Sequence, residues 1–239
     1  MKRTVLMLVS FLIVAVASAQ KVIEKNIKPT SDNVEVEFKF AEDINIKTWD
    51  KNEVYVKAAV SINDGEYDDY FSMTVDNSSS VLRIDSDYGD LFKKQNGWRG
   101  KKDEDGNCNC CSMDMDIVVT LYVPKKVKLR VKSISGNVSS EAYSGNLNVD
   151  IISGDINIKN YDGDFSLKTI SGDIDINVKK SSVQAKTVTG TIYADDKLSF
   201  NRDESNNRWG GSRVNGTVDT AENKLKLTTV SGSIFLRKI

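Results

Sequence analysis

The stretch that decides the fold is residues 134–176, which read ISGNVSSEAYSGNLNVDIISGDINIKNYDGDFSLKTISGDIDI. Glycine recurs in it every nine residues, each time within an Ile-Ser-Gly or a Tyr-Ser/Asp-Gly step. Three further copies follow with wider gaps, around Gly190, Gly216 and Gly232. Self-similarity at a fixed period is typical of repeat architectures, in which each unit stacks on its neighbours.

Each copy has the pattern of a short strand and a corner. The residues two before and two after each glycine are apolar, which predicts alternation with one buried face. Ile-Ser-Gly steps alternate with Tyr steps, so the period of the coil is 18 residues and each coil holds two short strands. Stacking would bury Val138, Ile156 and Ile174 on one wall and Leu147 and Phe165 on the other. A β-sandwich of hairpins, which also has regularly spaced turns, is the alternative.

Alternation continues upstream, and nothing marks a boundary between the two halves of the chain. It predicts further strands at residues 34–40, 44–46, 54–56, 81–84 and 115–121. We therefore expect a single all-β domain, a β-solenoid over residues 20–239. Polar insertion loops are expected at about 87–113 and 195–213, where the repeat is interrupted.

The first residues have the order of a secretory signal peptide. Met1-Lys2-Arg3 precede an apolar stretch at 5–16, and Ala17-Ser18-Ala19 offer a small-residue cleavage site. The apolar stretch is too short for a bilayer core, and the polar sequence after it predicts no membrane span in the mature chain. We expect export to the periplasm, the cell surface or the medium.

The composition favours binding over catalysis. The chain has 33 basic and 34 acidic residues, so no net field directs it to nucleic acid. It contains no histidine, which removes the usual general base and the commonest metal ligand. We expect neither an enzyme nor a cofactor.

The repeated Ser-Gly-Asp/Asn steps, the strand at 54–60 and the segment Leu121-Tyr-Val-Pro124 together resemble the DUF4097 family of bacterial envelope proteins. The resemblance covers most of the mature chain. It implies a β-solenoid-like fold and adhesin-type binding, and it offers no catalytic residues to carry over.

Two tryptophan loops interrupt the repeat and are the predicted binding surfaces. They contain Trp98 with Arg99, and Trp209 with Arg213. Aromatic side chains on loops of a rigid scaffold can stack on a sugar or anchor a protein partner. The alternative is that each tryptophan covers an edge or end of the solenoid.

All three cysteines, Cys108, Cys110 and Cys111, lie in the first insertion. In an exported protein, oxidation is favoured over zinc binding, and we expect one local disulfide with a spare thiol. An intermolecular bridge is a second possibility. A metal site would need a carboxylate or another chain to complete its ligands, and none is predicted.

The corner aspartates Asp155, Asp164 and Asp173 follow the nine-residue period of calcium-binding repeats. Each unit has one glycine where such sites need several, so solvated turn residues are the favoured interpretation. Paired carboxylates could also hydrolyse glycosides, but stacked corners bring carboxylates together in any solenoid.

The last coil, residues 230–239, ends on apolar alternation without a polar cap, so either another segment covers it or chains associate there. The favoured function is a non-enzymatic exported binding protein, an adhesin with an unknown protein or glycan ligand. The alternative is a structural or regulatory envelope component that self-associates through the ends of the solenoid. A polysaccharide-active enzyme is the less favoured third hypothesis.

Overall fold

The computed structural model describes residues 20–78, 80–95, 113–198 and 211–238. The strands of the first half are β1 (Lys21–Ile27), β2 (Asn33–Glu37), β3 (Phe40–Trp49), β4 (Val54–Ile62), β5 (Ser72–Asp76), β6 (Leu82–Asp87) and β7 (Met115–Pro124). The repeat contributes β8 (Lys128–Ser140), β9 (Tyr143–Ser144), β10 (Asn146–Ser153), β11 (Ile156–Ile158), β12 (Tyr161–Asp162), β13 (Phe165–Ser171), β14 (Ile174–Val178), β15 (Ser181–Thr189), β16 (Ile192–Ala194), β17 (Ser212–Val218), β18 (Asn223–Ser231) and β19 (Ile234–Lys238).

The strands form the two walls of a β-solenoid. Wall A has the order β1-β4-β7-β3-β8-β11-β14-β19-β16, and wall B has the order β5-β6-β2-β8-β10-β13-β18-β15-β17. The long strand β8 turns the corner and belongs to both walls. The repeat coils stack in parallel register, with β9 and β12 forming a short third side. The predicted solenoid with two main strands per coil is thus confirmed, and the sandwich is not favoured.

Apolar ladders between the walls form the core, as the repeat predicts. Val138, Ile156 and Ile174 are fully buried on wall A. Leu147 and Phe165, 2% exposed, face them from wall B. Each such side chain contributes about 1.5–3 kcal/mol by burial, so the ladders dominate the stability of the stack.

The recurring glycines lie where one coil touches the next. Gly154 has φ +132°, and a Cβ atom built there would lie 2.2 Å from the carbonyl oxygen of Gly136. At Gly172 the corresponding distance to the carbonyl oxygen of Gly154 is 2.0 Å. Only glycine combines this positive φ with so close an approach of two backbones, which explains its fixed place in the repeat.

The corner aspartates join successive coils. The Asp155 carboxylate accepts a 2.7 Å hydrogen bond from the Asp173 backbone N–H, and the Asp173 carboxylate accepts one of 2.7 Å from Ser233. The Asp164 carboxylate accepts a 2.8 Å hydrogen bond from the Lys224 backbone N–H. Among the residues that the structure describes, no group of three or more Asp, Glu, Cys or His side chains could hold a metal ion. These carboxylates act as backbone acceptors.

The Tyr-Ser/Asp-Gly and Ile-Ser-Gly corners differ in whether the apolar residue two before the glycine is buried or exposed. Tyr143 and Tyr161, two residues before their glycines, are buried as the alternation predicts. In the Ile-Ser-Gly type, Ser133 is buried, Ile134 is 41% exposed and Gly136 is buried again. The alternation therefore shifts by one residue at this corner, and the expectation of a buried residue before the glycine is wrong there.

The last coil in sequence is not the last in space. On wall B, β18 lies between β13 and β15, and on wall A, β19 lies between β14 and β16. The apolar end of the chain is therefore covered on both sides by other coils. This answers the question that its missing cap raised, and the C-terminal end of the solenoid is formed by β16 and β17.

Helix is scarce in the described part of the chain, which has a single-turn 3-10 helix at Asp68–Tyr70 and the short helix α1 at Leu91–Gln95. Neither has the length and apolar character needed to cross a bilayer.

Candidate functional site

Three aromatic side chains form a cluster on the outer face of wall A. Trp49 ends β3, Tyr55 is the second residue of β4, and Tyr122 lies between them on β7. Their ring centroids are 5.2 Å apart for Trp49 and Tyr122, 5.9 Å for Tyr55 and Tyr122, and 6.2 Å for Trp49 and Tyr55. All three are partly buried. We call them the aromatic cluster.

Hydrogen bonds fix the orientation of this cluster. The Trp49 indole Nε1–H donates to the Glu53 carbonyl oxygen at 2.7 Å. Partial desolvation raises the pKa of Tyr55, and the hydrogen bond to the Glu24 carboxylate raises it further. The rings are therefore held in place before any ligand arrives, which reduces the entropy lost on binding.

Two lysines flank the aromatic cluster. Lys51 Nζ lies 4.8 Å from the Trp49 ring centroid, and Lys47 Nζ lies 5.5 Å from that of Tyr122. Both lysines are exposed. Long flexible side chains of this kind can move aside and offer hydrogen bonds to a polar group on a ring-stacked ligand.

A second pair of aromatic rings lies at the other end of the same face. Tyr193 on β16 stacks on Phe235 of β19 with centroids 5.1 Å apart and an interplanar angle of 9°. Tyr193 is 53% exposed. Arg237 lies 5.7 Å from the Phe235 ring and forms a bidentate pair with Asp175, at 2.6–2.9 Å. We call Tyr193 and Phe235 the aromatic pair.

A row of short polar side chains leads from the aromatic cluster to the aromatic pair. Asn45, Ser139, Asn157 and Asp175 lie side by side on β3, β8, β11 and β14, and the row continues into Phe235. Tyr122 and Phe235 are separated by five strand spacings, or roughly 24 Å. Wall A thus presents aromatic rings at both ends of a flat polar strip.

Wall B carries a different surface, a polar groove of about 780 Å³. Its lining combines basic side chains, amides and hydroxyls with two carboxylates; the polar side chains are Asn33, Glu35, Lys128, Arg130, Asn146, Asn148, Asp164, Ser166, Ser182, Gln184, Lys224 and Lys226. Ordering long basic side chains on binding loses rotamer entropy. The rigid aromatic rings of wall A therefore make a better site than this groove.

The sequence-predicted site residues are mostly outside the described residues. Trp98, Arg99 and Trp209 lie there, as do Cys108, Cys110 and Cys111. Their predicted roles in binding and in a disulfide therefore stay predictions. Arg213 is described: it is exposed on β17, directly opposite Lys186 of β15 on the outer face of wall B.

Sequence reasoning missed the third tryptophan. Trp49 lies an odd number of residues after the buried Ile44 and Ile46, so strand alternation places its side chain on the outer face. Tyr55 and Tyr122 are placed on the outer face by the same alternation on their own strands. This alternation could have identified each of the three as an aromatic residue on the outer face. Their meeting depends on β7 pairing with both β3 and β4, and no sequence motif gives that pairing.

Comparison with known proteins supports the fold. The profile of the Toastrack DUF4097 family matches residues 104–237, and no match is found among curated proteins. A candidate cell-adhesion protein from Clostridium sporogenes is similar in structure, with a TM-score of 0.52 and 12% identity over 92% of this chain and 100% of that one.

Two further solved structures have weaker similarity to this chain. A candidate adhesin from Bacteroides fragilis has 14% identity, a TM-score of 0.30 and coverage of 93% of this chain and 99% of its own. A protein from Parabacteroides distasonis described as lipid-binding has 13% identity, a TM-score of 0.25 and coverage of 91% and 96%.

Proposed function

We propose a function from the premise that this chain belongs to the Toastrack DUF4097 family. It is a non-enzymatic binding protein of the bacterial cell envelope, and its ligand is an extended polysaccharide. The ligand lies across the strands on the outer face of wall A. One end stacks on the aromatic cluster, and a long chain reaches the aromatic pair.

The observation that carries this proposal is the arrangement of oriented, partly exposed rings at both ends of a polar strip. The apolar face of a pyranose ring stacks on aromatic side chains, while its hydroxyls need hydrogen-bond partners beside the ring. Asn45, Ser139 and Asn157 supply amide and hydroxyl groups once per strand, about 4.8 Å apart. This spacing is close to the length of one sugar unit in an extended chain.

The family supports an adhesin role, and the similar structure from Clostridium sporogenes is described as a candidate for cell adhesion. Export through residues 1–19 would bring the site to envelope glycans. The second candidate function, an envelope component that self-associates through the ends of the solenoid, would leave wall A unoccupied.

Binding of oligosaccharides of increasing length tests the proposal. The mature protein, residues 20–239, is titrated calorimetrically with extended bacterial and host glycans, beside the Trp49→Ala and Tyr193→Ala variants. Trp49→Ala should weaken binding of every active glycan at least tenfold, because it removes an anchoring ring. Tyr193→Ala should weaken only chains long enough to span the roughly 24 Å between the two groups of rings.

Phe92→Ala is the matched control, because Phe92 is a 37% exposed aromatic residue on α1. Its affinity should equal that of the unchanged protein. Equal affinity of Trp49→Ala and Phe92→Ala for an active glycan would contradict the site. Release of shortened glycans by the unchanged protein would contradict the non-enzymatic part of the proposal.

A further inference from the structure

An apolar stripe runs along the outer face of wall B beside the Ile-Ser-Gly corners. It has one β-branched residue per coil, in stacking order Ile134, Ile152, Ile170, Val230 and Val188, which are 39–49% exposed. With one strand spacing between neighbours, the stripe is roughly 19 Å long. Single exposed apolar residues are ordinary, but a contiguous row of them marks an interaction surface.

A charged row runs parallel to the stripe, two residues earlier on each strand. From β6 to β17 it reads Asp85, Glu37, Lys132, Asp150, Lys168, Thr228, Lys186 and Arg213. The row is acidic at the N-terminal end of the wall, alternates in the middle and is basic at the C-terminal end.

Both ends of this row place like charges directly opposite each other. Glu37 pairs with Asp85 across β2 and β6, and Lys186 pairs with Arg213 across β15 and β17. Within the described part of the chain, none of these four side chains has an ion-pair partner. Like charges in this position destabilise a sheet, so a free monomer gains nothing from them.

The acidic end is only partly neutralised by its surroundings. Desolvation raises the pKa of Asp85, the negative charges of Glu37 and Glu35 raise it further, and the positive charges of Arg83 and Lys132 offset only part of this increase. A surface with an acidic end and a basic end complements itself when it is turned end for end.

The geometry points to a second copy of this chain as the partner, bound face to face through the stripe and the charged row. The twofold axis lies parallel to the strands and passes between β10 and β13. This axis reverses the stacking order and keeps each row facing its own equivalent. Isologous contacts of this kind are the commonest in homo-oligomers.

In this register three of the four contacts between the rows join opposite charges, Lys132 faces Thr228 in the fourth, and the stripes overlap from β8 to β18. Opposite each other lie Asp150 and Lys168, Glu37 and Lys186, and Asp85 and Arg213, each pair formed twice by the symmetry. Ile152 then faces Ile170 of the second copy in the stripe. Both like-charge pairs of the monomer thus meet opposite charges.

The contact is small, so the dimer is a dynamic one. Eight strands and two rows cover roughly 34 Å by 13 Å, about 900 Å² in total from the two copies, which is at the low end for specific interfaces. We expect a dissociation constant in the micromolar range that rises with salt, because exposed ion pairs are screened. The two walls A then face away from each other, which gives the dimer two glycan-binding faces.

Charge reversal with rescue by mixing tests the dimer. Sedimentation velocity of the mature chain at low salt should show a concentration-dependent dimer. Glu37→Lys and Lys186→Glu should each raise the dissociation constant at least tenfold, since each homodimer would contain two like-charge pairs. An equimolar mixture should regain the original affinity, because a heterodimer of the two variants has opposite charges at both positions.

The control mixture is Glu66→Lys with Lys25→Glu, two exposed residues outside both rows. It should dimerise like the unchanged protein, both alone and mixed. Ile152→Lys changes an outward side chain and leaves the core intact, so it should give a folded monomer by circular dichroism. A monomeric unchanged protein at all concentrations, or variants that mixing does not rescue, would overturn the proposal. Trp49→Ala should not alter dimerisation, so failure of the glycan site and failure of the dimer are separate results.

Discussion

Replacing Gly154 with alanine tests the coil-to-coil contact that the repeat is built on. Two penalties combine at this position. A left-handed backbone angle in a residue with a side chain costs roughly 1–3 kcal/mol. The new Cβ would also lie 2.2 Å from the Gly136 carbonyl oxygen, and relieving such overpacking costs roughly another 1–3 kcal/mol. We expect a loss of about 4 kcal/mol in the free energy of unfolding.

Gly65→Ala is the matched control, because it carries only one of these penalties. Gly65 also has a positive φ, +92°, but a Cβ there would lie 3.6 Å from its nearest neighbour, the Asp68 Oδ2 atom. It should therefore cost about 1–2 kcal/mol, from backbone strain alone. The difference between the two variants isolates the steric part of the penalty.

Urea unfolding followed by circular dichroism measures both variants, with slopes compared to show that they unfold alike. In a domain of this size, about 4 kcal/mol corresponds to a drop of roughly 8–16 °C in Tm. If Gly154→Ala loses no more stability than Gly65→Ala, close packing of the corner backbones is not why glycine occupies the repeat.

Two further predictions concern the ionisable residues of the stack. Burial raises the pKa of Tyr143 far above its ordinary value, so its stabilising contribution is complete below about pH 10 and is lost as the pH rises above the pKa of the unfolded chain. Tyr143→Phe should flatten this alkaline loss of stability in urea titrations. An unchanged loss would refute burial of Tyr143 as its cause. Asp155→Asn keeps an oxygen that can accept the hydrogen bond from the Asp173 N–H and should hardly change the free energy of unfolding, whereas Asp155→Ala should lower it by about 1 kcal/mol. Added calcium should leave the Tm of the unchanged protein and of both variants unaltered. A calcium-induced rise in Tm would indicate a metal site instead.

The sequence predicted the solenoid because its periodicity determines which side chains stack on one another in successive coils. The ladders of Val138, Ile156 and Ile174 and of Leu147 and Phe165 follow directly from alternation and an 18-residue coil. Alternation alone could not show that Ile134 and its equivalents lie outside. That depends on the one-residue shift at the Ile-Ser-Gly corner, which is a backbone property of the folded turn.

The order of the coils and the aromatic cluster were beyond the sequence for related reasons. The step at Gly232 resembles those at Gly172 and Gly190, so nothing in it says that the coil of β18 and β19 stacks between the other two. Trp49 meets Tyr55 and Tyr122 through pairings that are parallel on one side of β7 and antiparallel on the other. Long-range pairing decides both features, and local pattern does not encode it.

The interior position of the last coil has a consequence for how the chain reaches its folded state. Synthesis releases the N-terminal coils first, yet the place between β14 and β16 is filled only by residues 223–238. Until these residues emerge, β15 can pair with β17, but the coil of β15 and β16 cannot stack on the coil of β13 and β14. Completion of the fold is therefore coupled to release of the whole chain, and a truncation before residue 223 would leave a gap within the solenoid instead of shortening it.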